Sequence, residues 1–199
     1  MGTVKSLLLG MCFVLGACTS QTSTVQTTEK GTQWEWQNGT IVVKTPERPA
    51  GQKSVLGLTT PKLEAVRVGF VGLGMRGPGA VERFTYIPGT QVVALCDYEE
   101  ARADKCQELL KKASMPKAAV YSGDKGYEEL CKRDDIDLVY IAADWLHHFP
   151  VAKCALENGK NVAIEVPSAM NLQECWDLVN LSETTRKHCF ILENCCYDW

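Results

Sequence analysis

From residue 66 onward, short apolar runs alternate with longer stretches in which apolar residues recur at helical spacing. Residues 66–71 are almost wholly apolar, as a strand buried on both faces requires, and 80–86 continue as a helix. Residues 91–96 form a second apolar run, 98–113 alternate charged and apolar residues with a helical period, and 117–121 are short and strand-like. The alternation then repeats. Residues 124–133 predict a helix, 136–142 a buried strand, 147–158 a helix closed by Gly159, 161–164 a strand, 171–186 a helix and 189–192 a last strand. Six strands alternating with helices predict an α/β fold built as a doubly wound parallel sheet.

Upstream the pattern changes. Residues 1–17 carry Lys5, an apolar run over 7–15 and then Leu15-Gly16-Ala17-Cys18. This resembles a bacterial lipoprotein signal peptide, in which Cys18 is acylated and becomes the mature N-terminus. The apolar run is shorter than the roughly 20 residues of an ordinary spanning helix. A secretory peptide cut near Ala17 is the alternative. Ser20, close after Cys18, implies by the same resemblance the outer membrane of a Gram-negative bacterium. Residues 19–31, rich in Ser, Thr and Gln, read as a flexible tether. Residues 34–43 predict a hairpin, because Asn38-Gly39 favours the type I′ turn. The Pro-containing stretch 45–61 reads as a strap. The expected organisation is therefore 1–17 signal, 18–60 tether and strap, and 61–199 one nucleotide-binding domain.

A net charge of −3 and the lack of a long basic run argue against nucleic acid as a partner and favour small neutral ligands. The oligomeric state is left open. Of the 10 cysteines, Cys12 would leave with the signal and Cys18 would carry lipid. No C-x-x-C spacing remains, so small buried hydrophobes are a better reading than a disulfide framework or a metal site, with Cys106, Cys131, Cys154 and Cys175 expected to face the core. The state of the adjacent Cys195 and Cys196 stays open.

The first strand of the domain runs directly into Gly72-Leu-Gly74-Met75-Arg76-Gly77, a G-x-G-x-x-G turn that opens a helix. In such a turn the first glycine permits the bend, the second admits a pyrophosphate and the third lets the helix pack on the strand. Asp97 ends the second strand, 20 residues beyond Gly77, where a carboxylate accepts from the adenosine ribose and repels a ribose phosphate, favouring NAD over NADP. Asp97 is also expected to cap the helix that follows. Arg76 makes either a surface ion pair or a phosphate contact. Together these define a Rossmann-type NAD-binding domain. Gly72, Asp97, Asp144, Glu165 and Asn194 all fall at strand carboxyl ends, where ligands of this architecture gather.

The segments Tyr140-Ile-Ala-Ala-Asp-Trp145-Leu-His147-His148 and Gly159-Lys160-Asn-Val-Ala-Ile-Glu165-Val166-Pro167 resemble the nucleotide half of the Gfo/Idh/MocA oxidoreductases over residues 66–199. Most members carry Glu-Lys-Pro where this chain has Glu165-Val166-Pro167, and that lysine helps move the proton of the alcohol being oxidised. With Met75-Arg76, Trp145 to His148 and Glu193-Asn194-Cys-Cys-Tyr197, the valine variant resembles glycoside hydrolase family 109, the NAD-dependent α-N-acetylgalactosaminidases. The resemblance implies a redox-neutral cycle: oxidation at the sugar's carbon 3, loss of the carbon-2 proton, elimination from carbon 1, addition of water and return of the hydride. That route differs from the paired carboxylates of most glycosidases. It also implies that Gly72, Gly74, Met75, Arg76, Gly77, Asp97, Trp145, His148, Glu165, Val166 and Asn194 hold NAD. Glu165 and Tyr197 are the implied catalytic residues. Read without the resemblance, Trp145 is a packed core aromatic, and His147 and His148 cap or begin a helix. Glu165 is harder to explain structurally, because burying a carboxylate without a polar partner is costly.

Relatives continue into a second α/β domain that supplies most of the sugar pocket, including a histidine. The expectation for a chain ending at Trp199 is a fragment that binds NAD weakly and does not turn over alone. Two other readings keep the fold. One is an NAD-dependent sugar dehydrogenase of the same superfamily, and the other is a surface-anchored binding module without catalysis.

Overall fold

The computed structural model describes residues 26–27, 33–44 and 47–194. Cys18, Cys195, Cys196 and Tyr197 lie outside the described residues. The chain divides into two compact units, Met1–Lys44 and Thr45–Trp199.

In the first unit, β2 (Gln33–Gln37) and β3 (Thr40–Val43) form the expected hairpin, with Trp34 opposite Val43 and Trp36 opposite Ile41. Asn38 and Gly39 have φ of 50° and 78°, the positive pair that a type I′ turn demands. Within the stretch read as a tether, Gln26–Thr27 (β1) pairs antiparallel with β2. Strand addition uses backbone groups alone, so a polar sequence does not prevent it.

The second unit holds a six-stranded parallel sheet. Its strands are β4 (Val66–Val71), β5 (Thr90–Asp97), β6 (Ala119–Ser122), β7 (Leu138–Ile141), β8 (Asn161–Ile164) and β9 (Cys189–Ile191), in the order β6-β5-β4-β7-β8-β9. The helices are α1 (Gly77–Phe84), α2 (Glu100–Lys112), α3 (Gly126–Cys131), α4 (Trp145–Glu157) and α5 (Leu172–Thr185). Strand alternation sorts the core into two layers. Val68, Phe70, Leu95 and Tyr140 pack with Ala80 and Val81 of α1 and Ala103 and Leu110 of α2. Val71, Val139, Ile141, Val162 and Ile164 pack on the other face with Leu130 of α3, Val151 and Leu156 of α4 and Leu178 of α5. Helices on both faces make the sheet doubly wound, as expected.

The helix and strand centres fall where the sequence places them, but several ends move. The first helix starts at Gly77 rather than residue 80, because Pro78 suits a first turn. Asp97 is not the cap of α2: Glu99 occupies that position, and Asp97 accepts its backbone N–H at 3.0 Å instead. Cys106 and Cys131 are buried as expected, whereas Cys175 is exposed. Ahead of β4, the strap is latched onto α5. Arg48 donates twice to Glu183 at 2.8 Å, Gln52 donates to Asn180 and Glu183, and Arg186 donates to the carbonyls of Lys53 and Ser54.

Candidate functional site

Directly after β4 the chain turns at Gly72, whose φ is +90°. A Cβ there would stand 2.3 Å from the Ala143 nitrogen, so the turn is pressed against the end of β7. At Gly77 a Cβ would lie 2.1 Å from the Gly72 carbonyl oxygen, so the start of α1 closes onto the turn. Gly74 is different. A Cβ there would meet only Arg102 Nη1, at 3.5 Å, and Gly74 lines an open cleft. The first and third glycines are therefore required by the protein's own backbone, and the second keeps space open above the turn. Arg76 occupies the cap position of α1 without a side-chain capping bond, which leaves that helix end suited to an anion.

Asp97, buried at the end of β5, ties this turn to its neighbour. Its Oδ2 accepts the Leu73 N–H at 2.6 Å, and Arg102 Nη1 stands 3.4 Å from Oδ1. Beside it the Cys96 thiol is pushed up to about 12, first by burial and then by the Asp97 charge. That keeps it a protonated wall of the cleft.

At the ends of β7 and β8 the remaining groups assemble. Asp144 caps α4 by accepting the Leu146 N–H at 3.0 Å, and its other oxygen lies 2.6 Å from His147 Nδ1. Partial burial opposes ionisation of Asp144, but the hydrogen bond and charge of His147 outweigh it and hold the carboxyl below its ordinary range. His147 Nε2 is 3.6 Å from Asp124, ahead of α3. Trp145 is 61% exposed on the cleft wall, so it is not a core aromatic. His148 is buried, with Nδ1 2.7 Å from the Pro167 carbonyl and Nε2 2.9 Å from the Ala143 carbonyl. Its ring lies between the loop after β8 and the end of β7. Glu165, half-buried, accepts the Tyr140 hydroxyl at 2.7 Å through Oε1. Tyr140 in turn is pushed up to about 12, first by burial and then by Glu165.

Gly72, Gly74, Met75, Arg76, Asp97, Trp145, His148, Glu165 and Val166 all line one cleft of about 600 Å³. Gly77 lies beneath it as the first residue of α1. Asn194 stands apart from this lining. It follows β9, which β7 and β8 separate from β4, and it is not part of the lining. Sequence reading missed Arg102 and Asp124 in the lining and Tyr140 behind it. An arginine in the first turn after a strand-end aspartate was the one available signal for Arg102.

Residues 66–192 match the family described as oxidoreductase, NAD-binding Rossmann fold (Gfo/Idh/MocA). Across the whole chain the sequence is 82% identical to glycosyl hydrolase family 109 protein 4 of Phocaeicola vulgatus, of which it spans 39%. Among solved structures, the biliverdin reductase of Synechocystis in complex with biliverdin and NADP⁺ superposes with a TM-score of 0.54 at 27% identity, over 63% of this chain and 37% of that one. The myo-inositol dehydrogenase of Lactobacillus casei with NAD(H) and myo-inositol gives 0.53 at 26%, over 60% and 34%.

Proposed function

The chain belongs to the Gfo/Idh/MocA oxidoreductase family as an NAD-binding Rossmann domain, and from that premise we propose that it is the nucleotide-holding part of a glycosidase acting on terminal α-N-acetylgalactosamine. The observation that carries this reading is Val166 beside Glu165 in the cleft wall. An aliphatic side chain stands where a dehydrogenase of this superfamily keeps a lysine for the alcohol proton.

The residues present fit the dinucleotide. Gly74 keeps the space over the turn open for a pyrophosphate, with Met75 and Arg76 at its rim, and Asp97 lies where the adenosine ribose would be held. Trp145, Glu165 and Val166 line the wall assigned to the nicotinamide end. Bound NAD supplies a hydride acceptor that is restored within each turnover, so the net reaction is hydrolysis. The protein's part is orientation. Tyr140 holds Glu165 Oε1, and Oε2 has no hydrogen-bond partner among the described residues, which leaves it to accept from a sugar hydroxyl. His148 fixes the Pro167 carbonyl, and with it the Glu165-Val166 segment, against the end of β7. Tyr197 is assigned a substrate contact by family likeness. Acylation of Cys18 would place the protein at the outer membrane, and loss of palmitate labelling in Cys18→Ala tests that assignment.

The function is tested with a chromogenic α-N-acetylgalactosaminide and NAD, in D₂O, using the longest reading frame that carries the chain. The expected result is NAD-dependent release of the chromogen, deuterium at carbon 2 of the sugar and no net NADH. Steady accumulation of NADH with no glycoside cleavage would replace this reading with the dehydrogenase.

A further inference from the structure

Arg102 lies in the first turn of α2, and its guanidinium folds back over the glycine turn. Nη2 is 2.9 Å from Glu99 Oε1, Nη1 is 3.4 Å from Asp97 Oδ1, and the same Nη1 is the nearest group to the open side of Gly74. The cation is therefore held between two carboxylates in the cleft lining. We propose that Arg102 is a specificity-determining residue for the cofactor, setting how strongly a 2′-phosphate on the adenosine ribose is rejected. This rests on the assignment of Asp97 to that ribose.

The argument is electrostatic and geometric. Asp97 taken alone repels a ribose phosphate by like charge. Its Oδ2 is committed to the Leu73 amide, however, and its Oδ1 is shared between the Glu99 amide and Arg102. The pair with Asp97 at 3.4 Å is long, and the 2.9 Å bond to Glu99 joins two exposed side chains, so solvent screens both attractions and a swing of the guanidinium costs little. A phosphate on the ribose oxygen nearest Asp97 would fall within reach of the planar donor fork, which matches phosphate in bidentate geometry. With NAD bound, Arg102 stays on its carboxylates and contributes little. With NADP bound, it turns to the phosphate and offsets part of the repulsion. The site thus prefers NAD and retains NADP as a weaker ligand. Arg76, also in the lining, is assigned to the pyrophosphate that both dinucleotides share.

Titration calorimetry with NAD and with NADP on the chain and its variants separates these roles. Arg102→Ala is expected to weaken NADP by about tenfold, the scale of one partly exposed charge-assisted contact, while NAD changes by less than about threefold. Arg102→Lys should recover part of the NADP affinity, and Arg76→Ala should weaken both ligands alike. Asp97→Asn should narrow the preference, and the double variant with Arg102→Ala should lose that gain. Circular dichroism melts confirm that each variant is folded. Equal losses for NAD and NADP in Arg102→Ala, or an NADP affinity indifferent to it, would overturn the proposal. NADP binding undetectable in both the parent and Asp97→Asn would overturn it as well. Absence of NAD binding to the parent chain would instead defeat the cofactor assignment on which the proposal stands.

Discussion

A methyl group at position 72 would meet the Ala143 amide at 2.3 Å on a backbone with φ of +90°. Gly72→Ala is therefore expected to destabilise the domain by about 2–5 kcal/mol in denaturant melts, from left-handed strain plus overpacking. Position 74 supplies the contrast. A Cβ there meets only the flexible end of Arg102 and the side chain would extend from it at the open cleft, so Gly74→Val should change stability by less than about 1 kcal/mol while abolishing calorimetric NAD binding. Tyr140 offers a test of another kind. Its ordinary value is 10.0 and the folded protein raises it to about 12, so the unfolded chain ionises first. Stability is full below the lower value and falls as pH rises between the two. Cys96, Cys106 and Cys189 are raised as well and add to the same alkaline loss. Tyr140→Phe keeps the ring packed between Phe70 and Phe84 and removes one titrating group, so its stability should decline less steeply over that window.

Helix α5 shows what an element's sequence specifies. The Asn171 side chain accepts the Glu174 N–H at 3.1 Å, and Asn171→Ala should cost about 1 kcal/mol in thermal melts, with NAD binding unchanged. This helix was legible almost to the residue, because a cap, an apolar stripe and a following strand all agree. So was β8, where a short apolar run is bounded by Gly159 and Pro167. The sequence predicts α3 over 124–133, longer than the observed Gly126–Cys131, since the charged residues around it fit a turn as well as a helix. What could not be read is contact between elements. Tyr140 and Glu165 are 25 residues apart, and their bond depends on the alignment of β7 with β8. Arg102 reaches Gly74 only because α2 packs back beside α1. Strand order, which carries no local signal, puts β9 at the far edge.

Within the second unit, the latch between the strap and α5 joins segments far apart in sequence through one carboxylate that is 2% exposed. Arg48 first and Gln52 second hold the Glu183 carboxyl below its ordinary 4.5. The stability it contributes is full above that value and is lost as pH falls through the lower folded value. Arg48→Ala should lower the melting temperature at neutral pH and flatten the acid side of the stability profile, as followed by circular dichroism. The order of the sheet has a consequence for synthesis on the ribosome. Of the two central strands, β4 is made first, and Val68 pairs with Leu138, which is made 70 positions later. At roughly 5–20 residues per second that interval is about 4–14 s. The partner on the other side, β5, arrives much sooner, with Val92 opposite Val68. During translation the strand that leads into the glycine turn therefore has one edge covered and the other exposed for several seconds, and that exposed edge is where a nascent-chain chaperone would be needed.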